Sequence, residues 1–222
     1  MNLSLIKQKI DQTARQFGRD SREIHLLAVS KFRSPDEIKA LYHAGQRDFG
    51  ESYSQEALPK IQSLQSLPEL IWHFIGPVQS NKTADIAAHF AWVHSLSRLK
   101  VAQRLNDQRL PHLPPLNVCI QVNIDAETTK SGVAPESLLE LGHKLRLLPR
   151  LRLRGLMALP APDTSVEQQR SAFRRVRELY ERLCQQGFAL DSLSMGTSLD
   201  MVAAIAEGST WVRIGSALFG PK

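Results

Sequence analysis

Eight short, β-rich runs alternate with longer stretches of helical period along this chain, and that rhythm restricts its fold more than any single residue does. The runs occupy residues 24–31 (IHLLAVSK), 48–51 (DFGE), 71–76 (IWHFIG), 92–96 (WVHSL), 117–123 (NVCIQVN), 152–160 (RLRGLMALP), 192–198 (SLSMGTS) and 211–220 (WVRIGSALFG). Each run except the last is followed by a helical segment, which is the signature of parallel βαβ units. Eight such units in 222 residues fall at the compact end of the (β/α)8 range. The expected fold is therefore α/β, a (β/α)8 TIM barrel. Periodicity does not report closure, so a doubly wound open sheet is the rival arrangement.

The helical segments carry their own punctuation. Leu3, Ile6, Ile10, Ala14 and Phe17 share one face of an extra N-terminal helix, which reads as a helix rather than a secretory leader. Ser34-Pro35 supplies an N-cap and a proline for the first helical position. Ile38, Leu41 and Tyr42 follow on one face, and Gly45 stops the helix. Residues 135–148 place Leu138, Leu141, Leu145 and Leu148 in register. In residues 166–186 Phe173, Val176, Tyr180 and Leu183 form the stripe before Gly187. No Pro/Gly/Ser-rich linker interrupts the series, so residues 1–222 are expected to form one domain.

Composition narrows the class further. With 42% hydrophobic residues and two cysteines, collagenous, disordered and disulfide-scaffold chains are excluded. Cys119 lies in an apolar run and Cys184 in a helical pattern, which predicts two buried thiols in a reducing compartment. No apolar stretch reaches the ~18–20 residues of a membrane span. A cytoplasmic protein with no membrane partner is expected. The net charge of +6 points to an anionic partner without naming it.

In a barrel, the C-terminal ends of the strands carry function. Lys31 ends the first run. There it would aim its amine into the mouth, where desolvation and nearby cations would lower its pKa and free it to attack a carbonyl. It also reads as the first solvated residue after a buried strand. The loops after the seventh and eighth strands often bind phosphate. Met195, Gly196, Thr197, Ser198, Gly215 and Ser216 supply small residues and hydroxyls there, although an ordinary turn with Ser198 as an N-cap fits equally. Arg213, inside an apolar run, needs a partner. That partner is either a carboxylate such as Asp200 or Glu51, or a ligand.

Weaker features each have two readings. His73 and His94 lie on different strands without metal-ligand spacing and read best as satisfied core histidines. Lys82 in GPVQSNK and Lys130 in the Lys130-Ser131-Gly132 loop could add positive potential at the mouth, or simply be solvated. The basic stretch 143–154 contains no aromatic residue for base stacking, so it reads as a solvated rim and nucleic acid is not expected as a partner.

LLAVSK, FGESYSQE, WHFIGPVQSNK, HSLSR, QVNIDAETTKSG, LRLRGLMALP and LSMGTSLDMVAAIAEGSTWVRIGSALFG together resemble the pyridoxal phosphate homeostasis protein family, relatives of the N-terminal barrel of bacterial alanine racemase. The resemblance covers approximately residues 5–220. It implies a fold-type III site for pyridoxal 5′-phosphate (PLP), with Lys31 as the Schiff-base lysine. By the same resemblance Ser198, Gly215 and Ser216 form the phosphate cradle and Arg213 faces the pyridine nitrogen. Ser52, His73, Met195 and Gly196 fall in motifs that line the family's pocket. The chain departs from the family pattern at Ser52, usually Asn, and at Thr197, usually Met. It also ends at Pro221-Lys222, earlier than many relatives.

The resemblance further implies a PLP-binding protein rather than a PLP enzyme. An arginine at the ring nitrogen disfavours its protonation, because two cations would meet, and this weakens the electron sink on which PLP catalysis depends. Racemases compensate with placed bases that depend on a second β-domain, for which 222 residues of barrel leave no room. The expected role is intracellular PLP (vitamin B6) homeostasis: PLP held on Lys31, buffered or delivered to apo PLP-dependent enzymes as acceptors, by a monomer with no catalytic residues. The alternative is an amino-acid racemase of alanine-racemase type.

Overall fold

The computed structural model describes residues 2–125, 131–161 and 165–220. Its parallel strands are β1 (His25–Val29), β2 (Asp48–Glu51), β3 (Ile71–Phe74), β4 (Trp92–Leu96), β5 (Leu116–Val122), β6 (Leu151–Ala158), β7 (Ser192–Ser194) and β8 (Trp211–Ile214). Neighbours in sequence are neighbours in the sheet, and β8 pairs with β1 through His25↔Trp211 to Ala28↔Ile214. The sheet is therefore a closed barrel, and the open-sheet rival is removed.

Helix α1 (Leu3–Gln16) precedes β1. The helices α2 (Pro35–His43), α3 (Ser54–Ser63), α4 (Thr83–His89), α5 (Leu99–Gln108), α6 (Leu138–Arg146), α7 (Val166–Gln185) and α8 (Met201–Ala206) follow β1 to β7 in turn. A short α9 (Ser216–Phe219) follows β8, so the last strand also has its helix. Ser34 caps α2 reciprocally: its hydroxyl accepts from the Glu37 N–H, and the Glu37 carboxylate accepts from the Ser34 N–H. These backbone contacts hold the Glu37 carboxyl below its ordinary range. Among the described residues no helix is long and apolar enough to cross a membrane.

Alternation along the strands divides the interior in two. Val212 and Ile214 of β8, Leu193 of β7 and Val118, Ile120 and Val122 of β5 pack outward in the large core between sheet and helices. Trp211, Cys119, Met157, Trp92 and Leu27 form a separate cluster inside the barrel. Gly155 of β6 is required by close approach, since a Cβ there would stand 1.7 Å from the Ser192 carbonyl oxygen. Of the two cysteines, Cys119 is buried and Cys184 only half-buried, which corrects the expectation for the second thiol.

Two strands end four or more residues before their sequence runs do. Residues 192–198 yield a strand only to Ser194, because Gly196 turns the backbone to φ +96°. After Ile214 the chain turns at Gly215 into α9. Three of the four arginines of the basic stretch are used structurally. Arg146 lies 3.7 Å over the Phe188 ring, Arg150 donates to the Leu113 carbonyl, and Arg154 clamps Asp191.

Candidate functional site

Strand order assembles the candidate site at the C-terminal end of the barrel. Because β1 lies between β8 and β2, the turn after β1 that carries Lys31 is flanked by two loops. One is Gly215-Ser216 after β8 and the other begins at Ser52 after β2. Gly215 sits against the end of β1, where a Cβ would be 3.5 Å from the Val29 Cβ. Lys31 itself is exposed. The desolvation expected of it is not realised, because the strand ends at Val29 and Ser30 is the last buried residue before the turn.

That turn is pinned from beneath. The Ser30 hydroxyl donates to Glu51 Oε1 at 2.6 Å. Lys60 of α3 donates to the Ser30 carbonyl at 2.9 Å, to Glu51 at 2.9 Å and to Glu56 at 2.6 Å. Glu56 in turn accepts the Phe32 N–H. Phe32 has φ +62°, a region that a bulky residue occupies only under constraint. Arg33 closes the far side by donating to the Gly220 carbonyl at 2.6 Å. Thus Lys31 is exposed while both its neighbours are held. Glu51 is 0% exposed, and burial pushes its carboxyl above the ordinary range against the Ser30 and Lys60 contacts.

Two cavities open among the loops at this end of the barrel. One, of about 200 Å³, is bounded by Gly196, Thr197, Asp200 and Arg213. The other, of about 180 Å³, is lined by Ser52, Tyr53 and Lys82 among others. Arg213 is buried at the first cavity, donating from Nη1 to Ser194 Oγ at 2.8 Å and from Nη2 to the Ala158 carbonyl at 2.9 Å. Burial pushes its guanidinium down to about 10, with the Asp200 field opposing, so it stays a cation at neutral pH. Among the described residues it has no carboxylate in ion-pair contact. This removes the carboxylate-pair alternative: Asp200 accepts from the Thr197 N–H and hydroxyl, and Glu51 pairs with Lys60.

The sequence-predicted residues separate accordingly. Lys31, Arg213, Gly196, Ser198, Gly215 and Ser216 come together on the ends of β1, β7 and β8. Ser52 faces the second cavity with Lys82. Ser198 is not an N-cap, since α8 starts after Asp200. Met195 is fully buried in the outer core, on the opposite parity from Ser194 and Arg213. His73 lies deep inside the barrel, bonded to His94, and lines neither cavity. Lys130, Pro221 and Lys222 lie outside the described residues. Lys60 and Glu56 were not expected, and their i,i+4 spacing was the only signal; Ser194, which begins the strand-7 segment 194–198 considered for phosphate, instead holds Arg213.

The whole chain, residues 1–222, matches the family described as "Alanine racemase, N-terminal domain". A protein of Pseudomonas aeruginosa named "Pyridoxal phosphate homeostasis protein" is 54% identical, over 100% of this chain and 94% of that protein. The chain belongs to the pyridoxal phosphate homeostasis protein family. Solved structures of the relative PipY from Synechococcus elongatus agree. The structure without PLP has a TM-score of 0.86 at 35% identity, covering 95% of this chain and 99% of that one. The structure with PLP bound has a TM-score of 0.84 at 34% identity, covering 95% and 100%. The family's fold and the closed barrel observed here coincide.

Proposed function

We propose that this chain binds pyridoxal 5′-phosphate and serves intracellular vitamin B6 homeostasis, holding PLP reversibly on Lys31 and making it available to apo PLP-dependent enzymes. The observation that carries the reading is the convergence, at one end of the barrel, of a primary amine on a pinned turn, a buried cation without an anionic partner among the described residues, and two small-residue loops bearing hydroxyls. The names of the relatives and PLP in PipY support it.

The donor set fits the group. Ser198 and Ser216 offer hydroxyls and Gly196 and Gly215 allow close backbone approach, which suits a phosphate. Arg213 offers donors only, which suits an unprotonated ring nitrogen. When bound, PLP supplies an aldehyde that links reversibly to a primary amine. Lys31 is the exposed amine of the set, and Lys60 is committed to Ser30, Glu51 and Glu56. A cationic Arg213 disfavours a second positive charge at the ring, so the site suits holding and handing over the cofactor more than driving turnover. We further assign residues 1–222 to one functional unit, acting as a cytoplasmic monomer.

The test is the absorption spectrum of the purified protein with PLP, before and after borohydride, followed by peptide mass mapping. The expected result is a visible band that borohydride abolishes, with the phosphopyridoxyl group on Lys31. Lys31→Ala retaining the same covalent adduct overturns the assignment. Steady interconversion of alanine enantiomers, lost in Lys31→Ala, would establish the racemase alternative instead.

A further inference from the structure

A line of polar side chains crosses the barrel interior from the N-terminal end to Arg213. Asp48, the first residue of β2, has a side chain only 22% exposed, with Oδ1 3.0 Å from His73 Nε2. His73 Nδ1 is 2.9 Å from His94 Nε2. His94 Nδ1 is 2.7 Å from Ser194 Oγ, and Ser194 Oγ accepts from Arg213 at 2.8 Å. Strands β4 and β7 are not neighbours in the sheet, so the His94–Ser194 bond spans the barrel itself.

The chemistry of the two ends sets the sense of every bond between them. A guanidinium only donates and a carboxylate only accepts. Asp48 accepts from His73 Nε2–H, so a neutral His73 presents Nδ1 as an acceptor. His94 therefore carries its proton on Nε2, donates it to His73 and presents Nδ1 in turn. Ser194, which accepts from Arg213, donates its hydroxyl proton to that nitrogen. A second proton on His73 would set donor against donor, and one on His94 would put two cations on the Ser194 oxygen. Burial lowers the basicity of both rings, with Arg213 and His73 adding to the effect at His94. At His73, Asp48 opposes burial and His25 assists it. Trp92 stacks on His73 at an interplanar angle of 9°, and Trp211 packs against both imidazoles, so neither ring rotates freely.

We infer that Asp48, His73, His94 and Ser194 form a single-sense hydrogen-bond relay whose role is to position Arg213 for its ligand, with both histidines neutral and protonated on Nε2. With Nη1 held by Ser194 and Nη2 by the Ala158 carbonyl, the plane of the guanidinium is fixed, and its remaining donors are aimed by residues that never touch the ligand. This rests on the proposed reading that Arg213 faces bound PLP. The four residues are positioning residues.

Long-range proton–nitrogen NMR of histidine-labelled protein without PLP tests the relay directly between pH 6 and 8. Nε2–H tautomers are expected at both His73 and His94, with no titration in that range. An Nδ1–H signal at either residue, or a normal histidine titration, overturns the inference. Ser194→Ala is expected to weaken PLP binding about tenfold and to shift the bound absorption band. Asp48→Leu, at the opposite end of the barrel, is expected to shift the band in the same direction, and Asp48→Asn, which keeps an acceptor for His73, is not. Unchanged affinity and spectrum in Ser194→Ala refute the positioning role. If the wild-type protein fails to label Lys31 with PLP, the functional reading fails while the tautomers still decide the relay.

Discussion

Replacing Lys60 with methionine removes the cation on which the turn beneath Lys31 depends. The side chain of Lys60 is 7% exposed and that of Glu51 0%, so the substitution leaves an uncompensated buried carboxylate. Breaking such a pair costs about 3–5 kcal/mol. For a chain of this length each kcal/mol lowers the melting temperature by about 2–4 °C, which gives a loss of about 6–20 °C. The pH dependence identifies the cause. Burial already raises the Glu51 carboxyl above its unfolded value. A raised carboxyl leaves the fold at full stability below the unfolded pKa and weakens it as pH rises through the folded one. Losing Lys60 raises it further, so the deficit relative to the parent grows with pH, by at most about 1.4 kcal/mol per pH unit. Urea denaturation at pH 5 and pH 8, followed by far-UV circular dichroism, measures both quantities. Glu51→Gln added to Lys60→Met is expected to recover part of the loss and to flatten the pH dependence. A deficit below about 1 kcal/mol, or one independent of pH, refutes the view that an ion pair and not mere shape holds this turn.

Other outcomes follow from single features. Burial pushes the Cys119 thiol up to about 12, so a disulfide reagent at pH 8 is expected to modify Cys184 in the folded protein and both cysteines in urea. Gly155→Ala would force a Cβ onto the Ser192 carbonyl; a large loss of folded protein is expected, read by thermal melting. Ser34→Ala removes half of the reciprocal cap on α2 and is expected to cost about 1 kcal/mol in urea denaturation.

Much of the barrel was legible because its strands and helices differ in period. Ser34-Pro35, Gly45 and Gly187 marked helix boundaries through local chemistry alone. The strand ends at Ser194 and Ile214 were not legible, because small and apolar residues continue the strand-like pattern past the point where the backbone turns. Lys31 and Arg213 stood out by position, as an amine at a strand end and a charge within an apolar run. Their surroundings did not. The Glu56–Lys60 spacing looks like a solvated helix face, and only the seating of α3 beneath the mouth buries it. Parity in β7 separates Met195 from Ser194 once one of them is known to face inward. The meeting of His73 with His94 and of His94 with Ser194 depends on the register and closure of the sheet, which no local pattern encodes.

The filling of the barrel interior has an optical consequence. Trp92 and Trp211, 5.4 Å apart between ring centroids, come from β4 and β8 on opposite sides of the closed sheet, whereas Trp72 packs in the outer core. Indoles this close couple their electronic transitions. The near-ultraviolet dichroism of the folded protein should therefore be dominated by the internal pair, while the solvent sensitivity of the emission should follow Trp72 in the outer core. Two signals from one amino-acid type thus report separately on the outer shell and on the ring of strands, so loosening of the helices can be told apart from opening of the barrel without any added label.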